Sequence, residues 1–164
     1  MKVISKLVAT GALCLVAPLA AAQNLEPWDF VAGWEILIDP SLGDGCLIQS
    51  EFTDGSLVRI GFDLNEGMGY VTAFNYEWGD IIEGQMYDIS FELDSQYFEG
   101  VAEGIYLEDV PGADIYFDNP DFLFAIAERY TMTLYHDGYE VMALDLAGTY
   151  RALEAAIECQ NEIG

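Results

Sequence analysis

The chain has 164 residues, of which 52% are hydrophobic and 13% aromatic, and it carries 29 acidic side chains against five lysines and arginines. The apolar content supplies enough surface for a folded core, which argues against a disordered acidic tail. The net charge of −24 repels phosphate backbones and anionic bilayers, which argues against nucleic acid and membrane surfaces as partners.

Residues 1–22 have the layout of a cleaved signal peptide. Lys2 and Lys6 precede an apolar run, and three alanines follow it as the small residues of a cleavage site. The run is too short for a transmembrane span, and no later run reaches the required length. We therefore expect one mature domain, residues 23–164, that is periplasmic or secreted.

Two cysteines remain in the predicted mature chain, Cys46 and Cys159. Export exposes them to an oxidising compartment, where such a pair is expected to form a disulfide. Two free thiols are the alternative, since two cysteines and one histidine are too few for a structural zinc site. The bond would fix the end of the chain to its first strands.

The acidic residues allow two interpretations. Cleavage would leave three arginines against 29 acidic side chains, a net charge of −26. The acids are spread along the chain, which favours a solvated shell that keeps an exported protein soluble. The alternative is that they gather on one face and bind cations or a basic partner.

Short strand patterns alternate with turn residues through most of the chain. A tight turn at residues 53–56 joins two of the strands into a hairpin. In chain order, the predicted strands are 34–38, 46–52, 57–62, 70–78, 86–93, 96–107 (a strand pair or one bent strand) and 115–117 within an acidic loop, 109–118. A second hairpin, turned at Asp137-Gly138, is predicted within 130–149.

Two helices are predicted beside these strands. Asn119-Pro120 indicates a helix near 120–129, because asparagine caps helices and proline suits the first turn. Apolar residues at helical spacing indicate a C-terminal helix over 149–162. The predicted fold is mainly β (α+β), an antiparallel β-sandwich or open barrel with these two helices.

The last quarter of the chain resembles a known family. The resemblance rests on Asp121-Phe-Leu, Tyr130-Thr-Met-Thr-Leu, Leu144-Asp-Leu-Ala-Gly-Thr-Tyr-Arg-Ala-Leu and Cys159, in this order. This order resembles the invasion-associated locus B proteins of alphaproteobacteria and related periplasmic proteins, whose chains end in a strand, a small turn and an Ala-Leu helix. The resemblance implies a β-rich exported domain without established catalysis, and it assigns no functional residue.

No catalytic constellation is evident in the sequence. His136, the single histidine, directly precedes Asp137-Gly138, a dipeptide that predicts a tight hairpin and places this histidine at the surface. No Gly-x-Ser-x-Gly elbow accompanies it. Paired carboxylates could hydrolyse glycosides, but among so many acids some pair will have the required spacing by chance.

An acidic segment offers oxygen ligands for calcium. Asp109, Asp114 and Asp118 flank Pro111-Gly112, and carboxylates on a bent loop are the ligands that calcium prefers. No spaced Asp/Asn-Gly loop with a closing Glu is present, so an ordinary acidic turn is the alternative. Possible calcium at these residues is the one cofactor considered.

Three aromatic residues are candidates for a ligand groove. Tyr76, Trp78 and Tyr97 could line a concave face of the sheet, against the alternative that they pack in the core. The sequence therefore predicts an exported, non-enzymatic acidic binding domain for an unidentified protein or glycan. The alternatives are a calcium-dependent structural or adhesion domain and a carboxylate-dependent glycoside hydrolase.

Overall fold

The computed structural model describes residues 24–163, and the predicted signal peptide lies outside the described residues. Ten strands and two helices make up this part of the chain. They are β1 (Glu26–Val31), β2 (Trp34–Asp39), β3 (Gly45–Glu51), β4 (Leu57–Asp63), β5 (Met68–Phe74), β6 (Met86–Leu93), β7 (Gln96–Leu107), β8 (Val110–Phe117), α1 (Phe122–Ala127), β9 (Thr131–His136), β10 (Tyr139–Asp145) and α2 (Thr149–Ile163).

All ten strands belong to one antiparallel sheet with the order β1-β2-β3-β4-β5-β8-β7-β6-β9-β10. Most neighbours are consecutive in the chain, and the order departs from this where β5 pairs with β8 and β6 pairs with β9. β1 and β10 are the outer strands, so the sheet is not closed. The predicted mainly β, antiparallel fold with one short and one C-terminal helix is confirmed.

The main hydrophobic core lies on one face of this sheet. Side chains from every strand between β2 and β10, and from both helices, form a single buried cluster, so the sheet curls around it. β6 shows the period of two that produces this arrangement, since Ile89, Phe91 and Leu93 are buried while Met86 and Asp88 are exposed.

The C-terminal helix closes one side of the curled sheet. It packs along β1, β2 and β3, and the predicted disulfide between Cys46 of β3 and Cys159 is present, with the Cα atoms 6.2 Å apart. The buried face is centred on Ala152 and Ala156, whereas Ile157 is only half-buried.

The strand predicted over 70–78 is shorter in the structure. β5 ends at Phe74, because Asn75 caps a 3-10 helical turn over Tyr76–Trp78 by accepting a hydrogen bond from the Glu77 amide at 2.7 Å. The chain therefore leaves the sheet four residues earlier than the alternation of aromatic residues predicts.

The acidic loop predicted over 109–118 is instead the continuous strand β8. Proline and glycine favour loops, but here both fit a strand for tertiary reasons. The Pro111 carbonyl accepts the Asn75 amide at 3.0 Å. A Cβ on Gly112 would lie 2.4 Å from the Phe74 ring, so glycine makes room for that ring.

The segment 96–107, predicted as a strand pair or one bent strand, is one twelve-residue strand, β7.

The short helix α1 begins three residues after Asn119, whose side chain accepts the Asp121 amide at 3.1 Å. Neither helix within residues 24–163 combines the length and apolarity that a membrane crossing requires.

Candidate functional site

A cavity of about 430 Å³ opens at one end of the curled sheet, and we call it the mouth cavity. It lies where the β3–β4 turn and the segment after β5 face the strands β6 to β10. Its lining residues are Asp54, Asn75, Glu77, Trp78, Ile81, Tyr87, Ile89, Ala102, Ala113, Leu134, His136, Glu140 and Val141.

The floor of the mouth cavity is apolar. Ile89 of β6 and Leu134 of β9 are buried there, and β7 and β8 contribute Ala102 and Ala113. Two alanines in neighbouring strands leave space that larger side chains would fill, and the interior of a protein is otherwise closely packed. The cavity thus follows from small residues at two inward-facing positions.

The rings of Trp78 and Tyr87 line the mouth cavity. The indole Nε1 of Trp78 donates a hydrogen bond to the Val141 carbonyl at 3.2 Å, which ties the turn after β5 to the outer strand β10. The hydroxyl of Tyr87 accepts the Ile82 amide at 2.9 Å. Both rings are therefore held in place by backbone groups of other elements.

His136 completes the ring wall. Its ring and that of Tyr87 form a T-shaped pair, with centroids 5.5 Å apart and planes at 83°. Nδ1 lies 2.9 Å from the Asp88 carbonyl oxygen, a position in which this nitrogen donates, and Nε2 lies 3.6 Å from the Asp137 carboxylate. The N–H group at Nδ1 is thus hydrogen-bonded to the neighbouring strand β6.

A buried polar network holds the turn that carries Trp78. Ser56 Oγ donates to Asp54 Oδ2 at 2.9 Å, and Asn75 Nδ2 donates to Ser56 Oγ at 2.9 Å. Ser56 and Asn75 are 0% and 6% exposed, so these bonds are shielded from water. Hydrogen bonds that satisfy buried polar groups fix local geometry, because breaking them leaves an unpaired group.

The segment 79–85 forms a further wall and crosses closely over β7. The Gly84 amide donates to the Gly104 carbonyl and the Gly104 amide to the Gln85 carbonyl, both at 2.8 Å. The Tyr106 hydroxyl donates to the Ile81 carbonyl at 2.7 Å. A Cβ on Gly104 would lie 2.4 Å from a backbone oxygen of the segment, so only glycine permits this approach.

Carboxylates surround the rim of the mouth cavity. Asp54, Glu77 and Glu140 are exposed and come from three different elements. Among the described residues that line the cavity, none is lysine or arginine. The mouth therefore combines an apolar floor, aromatic walls and a negatively charged rim.

The structure brings only one of the three predicted groove aromatics to this site. Trp78 lines the cavity, whereas Tyr76 of the same turn is 75% exposed and is not among the lining residues. Tyr97 is 70% exposed at the start of β7, and its hydroxyl interacts with Glu92, whose hydrogen bond and negative charge raise the pKa of Tyr97. The three side chains do not form one groove.

His136 is one of the cavity residues that the sequence did not identify. The prediction that it is a surface residue follows from its place beside a turn, and it is 38% exposed. The signal that could have found it is the period of two in β9, because Met132, Leu134 and His136 share the inward face. The Asp137-Gly138 turn signal next to His136 favours a surface position and conflicts with this alternation.

The three predicted calcium ligands are not brought together. Asp109 and Asp118 are exposed at opposite ends of β8, about 30 Å apart for nine residues of extended chain. Asp114 lies between them and accepts a hydrogen bond from the Thr72 hydroxyl at 2.7 Å. Within residues 24–163, no three His, Cys, Asp or Glu side chains are grouped to hold a metal ion.

Asp114 belongs to a polar row that crosses the other face of the sheet. The row runs through registered neighbours on five strands, and its members are Glu35, Gln49, Arg59, Thr72 and Asp114. Gln49 donates to Glu35 at 3.1 Å, and Arg59 Nε donates to Gln49 at 2.7 Å while its guanidinium lies over the Phe74 ring. Members of the row are thus hydrogen-bonded to one another, and we interpret the row as a structural feature of the sheet.

No protein-family model matches the sequence, and no curated protein matches it. Among solved structures, invasion associated protein B from Bartonella henselae is similar, with a TM-score of 0.58 over 81% of this chain and 97% of that chain. The sequence identity is 13%, a level at which the likeness shows the fold alone. The C-terminal quarter of the sequence resembles the invasion-associated proteins, and this resemblance is confirmed at the level of the fold.

Proposed function

We propose that this chain is an exported, non-enzymatic binding domain that takes an apolar group of its partner into the mouth cavity. The observation that carries the proposal is the cavity, with its apolar floor and three rings. Its volume of about 430 Å³ falls in the usual range for ligand sites, roughly 300–1,000 Å³.

The fixed walls support a binding role. Trp78 and Tyr87 are each hydrogen-bonded to backbone groups, and the turn of Trp78 rests on the buried Ser56–Asn75 network. A site whose side chains are already ordered loses little conformational entropy when a ligand enters. The cavity is therefore formed before binding.

Two further observations support the exported setting. The Cys46–Cys159 disulfide is typical of proteins in oxidising compartments. The Bartonella protein with the same fold carries the name invasion associated, which describes that protein. We extend from it only the general role of an interaction domain. The partner that we propose is a protein or a glycan.

The test is a methyl-resolved NMR titration of the mature domain with two aromatic fragments, indole and phenol. We expect shifts at Ala102, Ala113 and Leu134, and we expect them to disappear in Ala113→Leu, which fills the floor. Ala143→Leu is the matched control, because residue 143 is an exposed alanine of β10 outside the cavity lining. Shifts that persist in the filled variant, or that occur only elsewhere, would contradict the proposal.

A further inference from the structure

We infer that the group bound in the mouth cavity is an amphipathic cation, an ammonium or guanidinium on an apolar stem. The inference rests on the proposed function, since it names the ligand chemistry of the same site. Its source is either a free organic amine or a basic side chain of a protein partner, and both share this chemistry.

The depth of the cavity accounts for the apolar stem. The floor presents the side chains of Ile89 and Leu134 and the methyl groups of two alanines, and it carries no polar side chain. A purely polar cation would lose its hydration there without compensation. A hydrocarbon chain or ring removes its own apolar surface from water when it enters.

The ring N–H groups of the walls are already used in hydrogen bonds to the protein. Trp78 Nε1 donates to the Val141 carbonyl, and His136 Nδ1 donates to the Asp88 carbonyl. These ring N–H groups are therefore not available to an anion. The π faces of tryptophan and tyrosine attract cations, and tryptophan does so most strongly.

The rim completes the charge complementarity. When ionised, Asp54, Glu77 and Glu140 act only as hydrogen-bond acceptors, and no lysine or arginine is among the described residues that line the cavity. Acids alone would be an ordinary solvated surface. Here they stand above an aromatic cavity, so an ammonium at the opening would contact carboxylates while its stem lies inside. The net charge of −24 also attracts cations to the surface.

Three probes of similar size test the inference. They are 2-phenylethylamine, 2-phenylethanol and 3-phenylpropanoate, which are cationic, neutral and anionic at neutral pH. We expect the amine to bind most tightly, about fivefold more tightly than the alcohol, and the carboxylate to bind most weakly. The advantage of the amine should shrink at high salt, because exposed charges are screened.

A double variant tests the rim directly. Glu77→Gln with Glu140→Gln should reduce the affinity for the amine about fivefold and leave the affinity for the alcohol unchanged. Glu83→Gln is the control, because residue 83 is an exposed glutamate of the neighbouring segment that does not line the cavity. It should leave both affinities unchanged.

The outcomes separate the inference from the proposed function. Equal affinity for the amine and the alcohol, or a double variant that behaves like the control, would overturn the inference and leave the binding site intact. If none of the three probes shifts the methyl resonances of the cavity, both fail. A lysine peptide that binds more tightly than the amine, and loses affinity when the lysine is acetylated, would identify a protein partner as the source. A tighter free amine would identify a small molecule.

Discussion

The backbone amide of Cys46 donates a hydrogen bond to the side-chain Oε1 of Gln160 at 2.9 Å. The two residues are 114 positions apart, and the disulfide joins Cys46 to the residue directly before Gln160. A covalent bond and a hydrogen bond thus hold the last turns of α2 against β3. Their contributions to stability can be separated by mutation.

Replacement Gln160→Ala removes the acceptor and leaves the amide of Cys46, a residue with 0% exposure, without a partner. An unsatisfied buried donor costs about 1–3 kcal/mol, so we expect the free energy of unfolding to fall by that amount. Denaturant titration measures it. Asn161→Ala is the control, an exposed position on the same helix. Equal effects of the two substitutions would show that the hydrogen bond contributes nothing.

Removal of the disulfide should cost more than loss of the hydrogen bond. The bond closes a sequence separation of 113 residues, and loop-entropy models give about 5 kcal/mol for a loop of this size. We expect a variant with Cys46→Ala and Cys159→Ala to lose about that amount in denaturant unfolding. Reduction of the wild-type protein should reproduce the loss, and the same reductant should not affect the variant. A wild-type protein whose stability is insensitive to reductant would disprove this account.

The close approach at β7 gives a third prediction. In Gly104→Ala the new Cβ would lie 2.4 Å from the Ile82 carbonyl oxygen and 2.9 Å from the Ile81 side chain, so the segment 79–85 must move. Forced displacements of this kind cost about 1–3 kcal/mol, and the wall of the mouth cavity should shift with the segment. We expect lower stability and weaker fragment binding, measured by denaturant unfolding and NMR titration.

The matched control for this substitution lies on the same strand. In Gly100→Ala the nearest side-chain atom, on Phe91, is 3.7 Å from the new Cβ, an ordinary contact. Its stability should stay within about 0.5 kcal/mol of the wild-type value, with binding unchanged. Similar losses in both variants would mean that the strand tolerates no methyl group anywhere, and that the crossing segment is not the cause.

The parts of the fold that were predictable are those set by neighbours in the chain. Asp137 and Gly138 both adopt positive φ, 50° and 78°, as the Asp-Gly hairpin rule requires. The strand predicted over 86–93 is present as β6, with buried residues at every second position from Ile89 onward. The disulfide was predictable because residues 24–163 contain two cysteines, which leaves one possible pair.

The mouth cavity was not predictable, because it depends on contacts between distant residues. Trp78 reaches Val141, 63 positions later in the chain, and no local pattern reports that hydrogen bond. Pro111 and Gly112 favour a loop, but the neighbouring Phe74 ring and the paired strand β5 determine their conformation. Local propensity was overridden by packing in both cases.

The carboxyl group of Asp114 gives the last prediction, through its pH dependence. Burial raises the pKa of Asp114 above the ordinary value of 3.8, while hydrogen bonds from Thr72 and Tyr116 oppose the increase. The folded protein therefore holds this proton more tightly than the unfolded chain. Its contribution to stability is fully present below pH 3.8, is lost as the pH rises through the raised pKa, and stays constant above it.

We expect Asp114→Asn to be more stable than the wild-type protein at pH 7, because it removes a desolvated negative charge and keeps an oxygen that can accept from Thr72. The advantage should shrink as the pH falls through the raised pKa and disappear below 3.8. Denaturant unfolding across this range measures it. Asp109→Asn removes the same charge from an exposed turn and corrects for the repulsion among the many acids. If Asp109→Asn stabilises the protein equally and with the same pH profile, the stabilisation in Asp114→Asn comes from reduced repulsion among the acids. The burial of Asp114 would then not be its cause.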